Sequence, residues 1–258
     1  MSTRILWLLA LLITLGSAVY QRMTGPTYPL RGKASLGGES IRYKLPRTWA
    51  GEGGAPVGVP VSEAVEGRIA YRHHNSSEAL TALPMAHRGG DVVNDLPHQP
   101  PAGKLDYTVV LSKGGESVTL GPATIRFRGD VPPYVLIPHI LAMFGAMLWA
   151  TRAGLERFAV EPNYRSLIVW TILLLTVGGL MLGPAVQKYS FGAWWTGWPF
   201  GADLTDNKTA VAWLAWVFAW VAQRRGSKSV GAWCIGAALV TLIVFAIPHS
   251  MFGSELKQ

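Results

Sequence analysis

Apolar positions are distributed along this chain in three distinct ways. Residues 5–20 form an apolar run, residues 25–130 contain only short alternating segments, and long apolar runs return after Asp130. A run of about 20 apolar residues can cross the hydrocarbon core of a bilayer as a helix. Strict alternation between turn residues is typical of strands with one buried face. The pattern therefore predicts membrane helices on both sides of an inserted β domain.

Five apolar segments are predicted to span a membrane. The first lies in residues 1–24, and its Gly16-x-Ala18 pattern also fits a signal-peptide cleavage site, so cleavage stays an alternative to the uncleaved anchor that we expect. The other four spans fall in a domain of residues 131–258. They are expected at about residues 133–151, 166–186, 206–223 and 229–249.

The segment of residues 25–130 predicts about seven short strands, which suggests a small β-sandwich. The clearest alternating stretches are residues 40–45, 67–72, 105–111, 117–120 and 123–128. Leu96-Pro97, a Pro/Gly loop and residues 104–109 resemble the tyrosine-corner region of fibronectin type III and related immunoglobulin-like domains. The resemblance implies that Tyr107 bonds back to the upstream backbone. The expected fold is thus five transmembrane helices with an inserted all-β immunoglobulin-like sandwich.

The charged residues predict an orientation in the membrane. The formal net charge is +8, but only 15% of residues are charged and no block of Lys or Arg occurs, so we expect no nucleic-acid partner. Basic residues are concentrated in the loops after the second and fourth spans, at Arg152, Arg157, Arg165, Arg224, Arg225 and Lys228. The positive-inside rule places these loops in the cytoplasm. The β domain and the C-terminus would then face the periplasm of a bacterial inner membrane.

The connector of residues 187–208, called here the Trp-rich loop, is predicted to lie on the same side. Its aromatic residues include Trp194, Trp195 and Trp198. A candidate polar periplasmic cluster consists of Asp203, Asp206, Asn207, Lys208 and Glu255. Such a cluster beside tryptophans could bind a cation or a small polar ligand, as in a carrier or sensor. The alternative is an aromatic belt at the membrane surface beside a capped helix start.

The motif Ile-Pro-His occurs twice, at residues 137–139 and 247–249. An ionisable side chain within a membrane span is costly, so His139 is a candidate functional residue. Together with His249 it could hold a b-type haem or line a quinol site. The alternative is that His139 bonds a backbone carbonyl and His249 lies at the level of the lipid headgroups.

The phrases FGAWWTGWPFG, DLTDNK and IPHSMFGSEL are similar to an uncharacterised family of bacterial polytopic membrane proteins, and this resemblance implies no activity. The sequence contains no serine–histidine–aspartate order, glycine-rich phosphate loop or HExxH motif. We therefore expect a scaffold or accessory subunit that docks a membrane or periplasmic protein through the sandwich and the Trp-rich loop. A redox subunit and a ligand or cation carrier are the alternatives, and an enzymatic role is left open.

Overall fold

The computed structural model describes residues 1–201 and 204–248 of the chain. The fold divides into two compact units. Of the described residues, a helical unit contains Met1–Pro26 and those of 131–248, and a β unit contains Thr27–Asp130. Each unit has its own hydrophobic core.

The described residues contain five helices, which confirms the predicted number. They are α1 (Thr3–Thr24), α2 (Pro133–Leu155), α3 (Tyr164–Phe191), α4 (Leu204–Arg224) and α5 (Val230–Ala246). Within the described ranges, α1, α3 and α2 with its short 3-10 extension to Phe158 are long and apolar enough to cross a membrane. The 17-residue α5 is apolar but shorter, and the first turn of α4 contains Asp206.

Helix α1 packs into the helical unit along one face. Its buried residues Leu6, Ala10 and Thr14 recur every four positions, which is the spacing of a helix stripe. The Trp7 ring meets Trp149 of α2 edge-on, with ring centroids 4.9 Å apart. These contacts join α1 to α2, and retention of α1 as an anchor stays a prediction.

Helix α3 widens into a π-helix over Leu175–Leu182. Pro184 follows this segment, and its ring lacks an N–H and would clash with the carbonyl four residues earlier in a regular α-helix. In a π-helix each N–H bonds to the carbonyl five residues earlier instead of four. The wider turn relieves that clash. Gly178 and Gly179 let neighbouring helices approach α3 closely here. A Cβ on Gly179 would lie 2.6 Å from Cγ2 of Thr209 on α4.

Two tryptophans of α4 bond to neighbouring helices. Trp213 donates its indole N–H to Thr176 Oγ1 of α3 at 2.9 Å. The fully buried Trp216 donates to Thr241 Oγ1 of α5 at 2.8 Å. A buried indole N–H needs an acceptor, and each threonine supplies one.

The β unit contains nine strands among the described residues. They are β1 (Leu30–Leu36), β2 (Glu39–Leu45), β3 (Thr48–Ala50), β4 (Ala55–Pro60), β5 (Glu66–His73), β6 (Thr81–Arg88), β7 (Asp91–Leu96), β8 (Lys104–Lys113) and β9 (Glu116–Arg128). Seven form one sheet in the order β3-β9-β8-β5-β6-β7-β4, and β1 and β2 form a separate hairpin. The hairpin contacts β4 through β2 and β9 through β1, so the β unit is nearly closed and barrel-like.

The predicted immunoglobulin-like sandwich is wrong. A sandwich buries the facing sides of two sheets, whereas here seven strands share one hydrogen-bonded sheet that curls around the core. The Tyr107 hydroxyl does bond to the upstream backbone, as expected, but it donates to the carbonyl of Pro46, 61 residues earlier, at 2.7 Å, whereas a tyrosine corner bonds only a few residues upstream. Alternation in the sequence identifies the buried face of each strand, but it does not determine which strands pair.

The Tyr107 hydroxyl is expected to stabilise the β unit. Tyr107 is buried, and Tyr107→Phe would leave the Pro46 carbonyl without this donor, at a cost of about 1 kcal/mol. Hydrogen exchange of the β8 amides in the full-length protein measures the change. Tyr71→Phe on β5 is the control, because the Tyr71 hydroxyl has no hydrogen bond to a described residue. Equal effects of the two substitutions would contradict the assigned role.

Glu39 joins the hairpin to the sheet and should make its stability depend on pH. Its carboxylate accepts hydrogen bonds from the Lys113 ammonium and from Ser62 Oγ at 3.2 Å, which hold the pKa of Glu39 below its ordinary value of 4.5. A carboxyl group with a lowered pKa in the folded state stabilises the fold above its unfolded pKa, and this stability is lost as the pH falls through the folded pKa.

We therefore expect Glu39→Gln to destabilise the hairpin at neutral pH, and the difference from wild type to shrink as the pH falls below 4.5. Hydrogen exchange of the β1 and β2 amides across this range is the measurement. Glu63→Gln is the control, because Glu63 is exposed and bonds to no described residue. A difference that stays constant down to strongly acidic pH would contradict the linkage.

Candidate functional site

Asp206, in the first turn of α4, holds the backbone in the middle of the Trp-rich loop. Its Oδ2 atom accepts the backbone N–H groups of Thr196 at 2.7 Å and Gly197 at 3.1 Å. The residue is almost fully buried. Gly197 permits this approach, because a Cβ there would lie 2.7 Å from both Asn207 Oδ1 and Asp206 Cβ. An acceptor paired with two backbone amides, one buried and one partly buried, fixes the backbone of the loop.

Three further hydrogen bonds fix the same loop. Asn207 Oδ1 accepts the Trp198 backbone N–H at 2.7 Å. Gln187 of α3 donates through Nε2 to Thr196 Oγ1 at 2.6 Å, and the Trp195 indole donates to the Trp198 carbonyl at 3.2 Å. The middle of the Trp-rich loop is therefore held by Gln187 at the end of α3, by Asp206 and Asn207 at the start of α4, and by the bond between Trp195 and Trp198.

Lys208 connects the first turn of α4 to the end of α5. Its Nζ donates to the Ile247 carbonyl at 2.5 Å. Carbonyls at the end of a helix have no partner within the helix and carry partial negative charge, so a cation is favourable there. Lys208 is buried in this position, which indicates that it stabilises the junction of α4 and α5.

The large aromatic side chains of the loop point outward. Trp194 is 58% exposed, Trp198 is 78% exposed and Phe200 is 82% exposed. Trp195 is half-buried instead. The loop thus turns its polar groups inward onto its own backbone and presents apolar rings on its surface, which is the reverse of a typical soluble loop.

This arrangement bears on the predicted polar cluster. Asp206, Asn207 and Lys208 lie together, and their oxygen and ammonium groups bond to backbone groups of the protein. This use favours a structural role for the three residues over ligand binding. Asp203, Glu255 and His249 lie outside the described residues, so the ligand or cation site that includes them stays a prediction.

His139 bonds to the π-helix of α3. Its Nδ1 atom lies 2.8 Å from the Gly178 carbonyl. A carbonyl oxygen only accepts, so Nδ1 carries the proton, and the lone pair of the neutral ring is on Nε2. Gly178 O also accepts the N–H of Gly183, so its two lone pairs serve two donors. The bond is the backbone contact expected of a packing histidine, and it also fixes the tautomer that a ligand histidine needs.

A second compact polar group of the β unit, besides that of Glu39, consists of His74, Asp106 and Thr124. Asp106 Oδ1 lies 2.9 Å from His74 Nδ1 and accepts the Thr124 hydroxyl at 2.6 Å. The aspartate lies between the two other groups, so the histidine is not placed to activate the hydroxyl as in a catalytic triad. Within residues 1–201 and 204–248, no three His, Cys, Asp or Glu side chains gather as metal ligands.

Comparison with known proteins adds no assignment to this geometry. No protein-family model matches the chain, and no curated protein sequence matches it. The resemblance of the Trp-rich loop and its neighbouring phrases to a bacterial membrane family stays a prediction.

Sequence reasoning missed two groups in the helical unit. Gln187 and Thr196 hold the Trp-rich loop, but isolated polar residues at these positions carry no recognisable spacing. Arg152 was taken as a cytoplasmic loop charge, yet it lies inside α2, buried, and forms an ion pair with Glu156. The spacing of four between Arg152 and Glu156 was the available signal, since it places both side chains on one helix face.

Proposed function

We propose that this chain is a multi-pass protein of the bacterial inner membrane that acts as a scaffold or accessory subunit. In this proposal the Trp-rich loop docks a membrane or periplasmic protein partner. The β unit and the loop face the periplasm, as the distribution of basic residues between the loops predicts. The three helices that are apolar enough to span a membrane support the membrane part of the proposal.

One observation carries the docking role: the loop holds its backbone with buried polar groups and exposes Trp198 and Phe200 almost completely. Tryptophan is enriched among the residues that contribute most binding energy at protein interfaces. A fixed backbone lowers the entropy that such a surface loses on binding. A ligand carrier would instead need polar groups directed at the ligand.

Photo-crosslinking in cells at native expression tests this proposal. A photoreactive phenylalanine analogue replaces Trp198 or Phe200, and the control position is Val160, which is equally exposed on the connection between α2 and α3. We expect a discrete protein adduct from the two loop positions and none from position 160. The same protein should co-purify with the wild type in mild detergent and be lost from Trp198→Ala/Phe200→Ala.

The aromatic-belt alternative has a distinct outcome in this experiment. Rings that only lie in the headgroup region would give lipid adducts at positions 198 and 200 and no protein adduct. Retention of the partner by the double variant would place the docking surface elsewhere. Either result would overturn docking through the Trp-rich loop.

A redox subunit is the second candidate. The bond from His139 to Gly178 is the contact that the packing alternative predicts, and it also fixes the tautomer that a redox role needs. That bond leaves the Nε2 lone pair of His139 for an iron or for the hydroxyl of a quinol, with His249 as the second proposed residue. An absorption spectrum of the purified protein tests for a b-type haem. Absence of a Soret band, together with unchanged quinol binding in His139→Ala, would remove this candidate.

A further inference from the structure

The hairpin of β1 and β2 presents four cations on one face. Arg31 and Lys33 of β1 and Arg42 and Lys44 of β2 are all exposed and alternate with inward-facing residues. The strand register places Arg31 opposite Lys44 and Lys33 opposite Arg42. We call these four side chains the basic face. The cations of β1 lie 9 to 13 positions before those of β2, so the sequence shows no continuous basic block.

The basic face is not neutralised within the β unit. Like charges directly opposite each other on paired strands repel and weaken the pairing. Lys33, Arg42 and Lys44 form no ion pair with any described residue, and Arg31 lies over the ring of Tyr28, 5.5 Å from its centroid. The one acid of the hairpin, Glu39, is bonded to Lys113 and Ser62.

The inner side of the hairpin fixes the position of this face. Leu36, Ile41 and Leu45 are buried in the core of the β unit. Tyr43 lies across from Gly32, and a Cβ on Gly32 would overlap the tyrosine ring. The absence of a side chain at Gly32 therefore lets the ring pack flat against β1. The cations stand on a packed two-stranded platform, with directly opposite residues about 5 Å apart.

We propose that the basic face binds the headgroups of anionic phospholipids. Lys and Arg N–H groups form charge-assisted hydrogen bonds with phosphate oxygens, and four of them on one face complement a negative surface. The hairpin also begins soon after a candidate membrane span, since only residues 25–29 separate α1 from β1. Such a short connection keeps the basic face within reach of the headgroups of the bilayer that the span would cross. The inference does not depend on docking through the Trp-rich loop.

Fluorescence energy transfer from the hairpin to the lipid surface tests the inference on the full-length protein in nanodiscs. A donor is attached at Ser35→Cys, which is exposed on β1, in a Cys234→Ser background. The acceptor is a headgroup-labelled lipid. We expect higher transfer with roughly 30% phosphatidylglycerol than with phosphatidylcholine alone, because the anionic surface attracts the cations. The gain should disappear at about 0.5 M salt, where surface charges are screened.

Two variants separate the basic face from net charge. Arg42→Gln/Lys44→Gln removes two cations of the face and should weaken the lipid response on the order of 10-fold. Arg68→Gln/Arg72→Gln removes two exposed cations of β5 and should leave the response intact. The first variant should keep or raise the melting temperature, because it relieves cross-strand repulsion. Equal transfer in both lipid mixtures, or an equal loss in both variants, would overturn the inference.

Discussion

Glu156→Gln is expected to destabilise the helical unit by about 3–5 kcal/mol, because it leaves the Arg152 guanidinium charged and buried without its counter-ion. Arg152 is 3% exposed and lies over the Trp7 ring, 5.6 Å from its centroid, so it has no direct path to water. Glutamine has nearly the same shape as glutamate. Glutamine keeps only one acceptor oxygen, however, so the substitution removes the charge and one of the two hydrogen bonds that the carboxylate accepts.

Glu156 has a second role that this substitution preserves. Its Oε1 atom accepts the backbone N–H of Asn163 at 2.7 Å, which fixes the connection between α2 and α3. A glutamine oxygen can accept the same bond. Unfolding of the purified protein in mixed detergent micelles, followed by tryptophan fluorescence, measures the loss of stability. Glu161→Gln is the matched control, since Glu161 is exposed on the same connection.

The double variant Arg152→Met/Glu156→Gln tests whether the charge is the cause. Replacing both members of a buried ion pair with uncharged side chains is often neutral, whereas removing one is costly. Methionine also keeps an apolar stem near Trp7. We expect the double variant to recover most of the lost stability. A double variant no more stable than Glu156→Gln alone would show that the hydrogen-bond geometry, and not the charge, is the cause.

The helices could be predicted from the sequence because a membrane span must satisfy its own backbone hydrogen bonds, which leaves a long apolar run as its mark. The ion pair at the C-terminal end of α2 shows a limit of this prediction. A charge was taken to end the second span at residue 151, but α2 continues to Leu155 because Glu156 neutralises Arg152. The π-helix was also missed, because its cause is the backbone clash at Pro184 and not the pattern of apolar residues.

The β unit could be predicted only as far as its strands. Alternation predicted half-buried strands, but the choice between a sandwich and one curled sheet depends on pairing between distant segments, such as β3 with β9. The basic face depended on pairing too. The turn at Gly37-Gly38 sets the register that brings Lys33 opposite Arg42, and reading each strand alone hid that contact.

The site could be predicted in its location but not in the direction of its side chains. Asp206 and Asn207 were candidate ligand-binding residues because they lie beside tryptophans, and a capped helix start was the alternative. Their oxygens accept amides of the Trp-rich loop instead. Sequence spacing does not reveal such bonds, because a loop of irregular backbone has no periodicity that fixes which amides point toward the helix.

Asp206→Ala is expected to release the Trp-rich loop from the start of α4. The substitution leaves the amides of Thr196 and Gly197 without their shared acceptor, at a cost of about 1–3 kcal/mol for the buried Gly197 amide and less for the partly buried Thr196 amide. Hydrogen exchange of these two amides should speed up by a large factor, while exchange in α5 should change little. The photo-crosslinked adduct at position 198 should also weaken, since a mobile loop loses more entropy on binding.

Lys188→Ala is the matched control for this release. Lys188 is an exposed residue at the end of α3 that donates to the Gly192 carbonyl at 2.7 Å, so it also contacts the loop backbone through one side chain. Its bond is exposed to water, which can replace the lysine, and the expected change is therefore small. Equal acceleration of exchange in both variants would mean that the loop is held by its ends, and that the buried carboxylate of Asp206 does not organise the exposed aromatic surface.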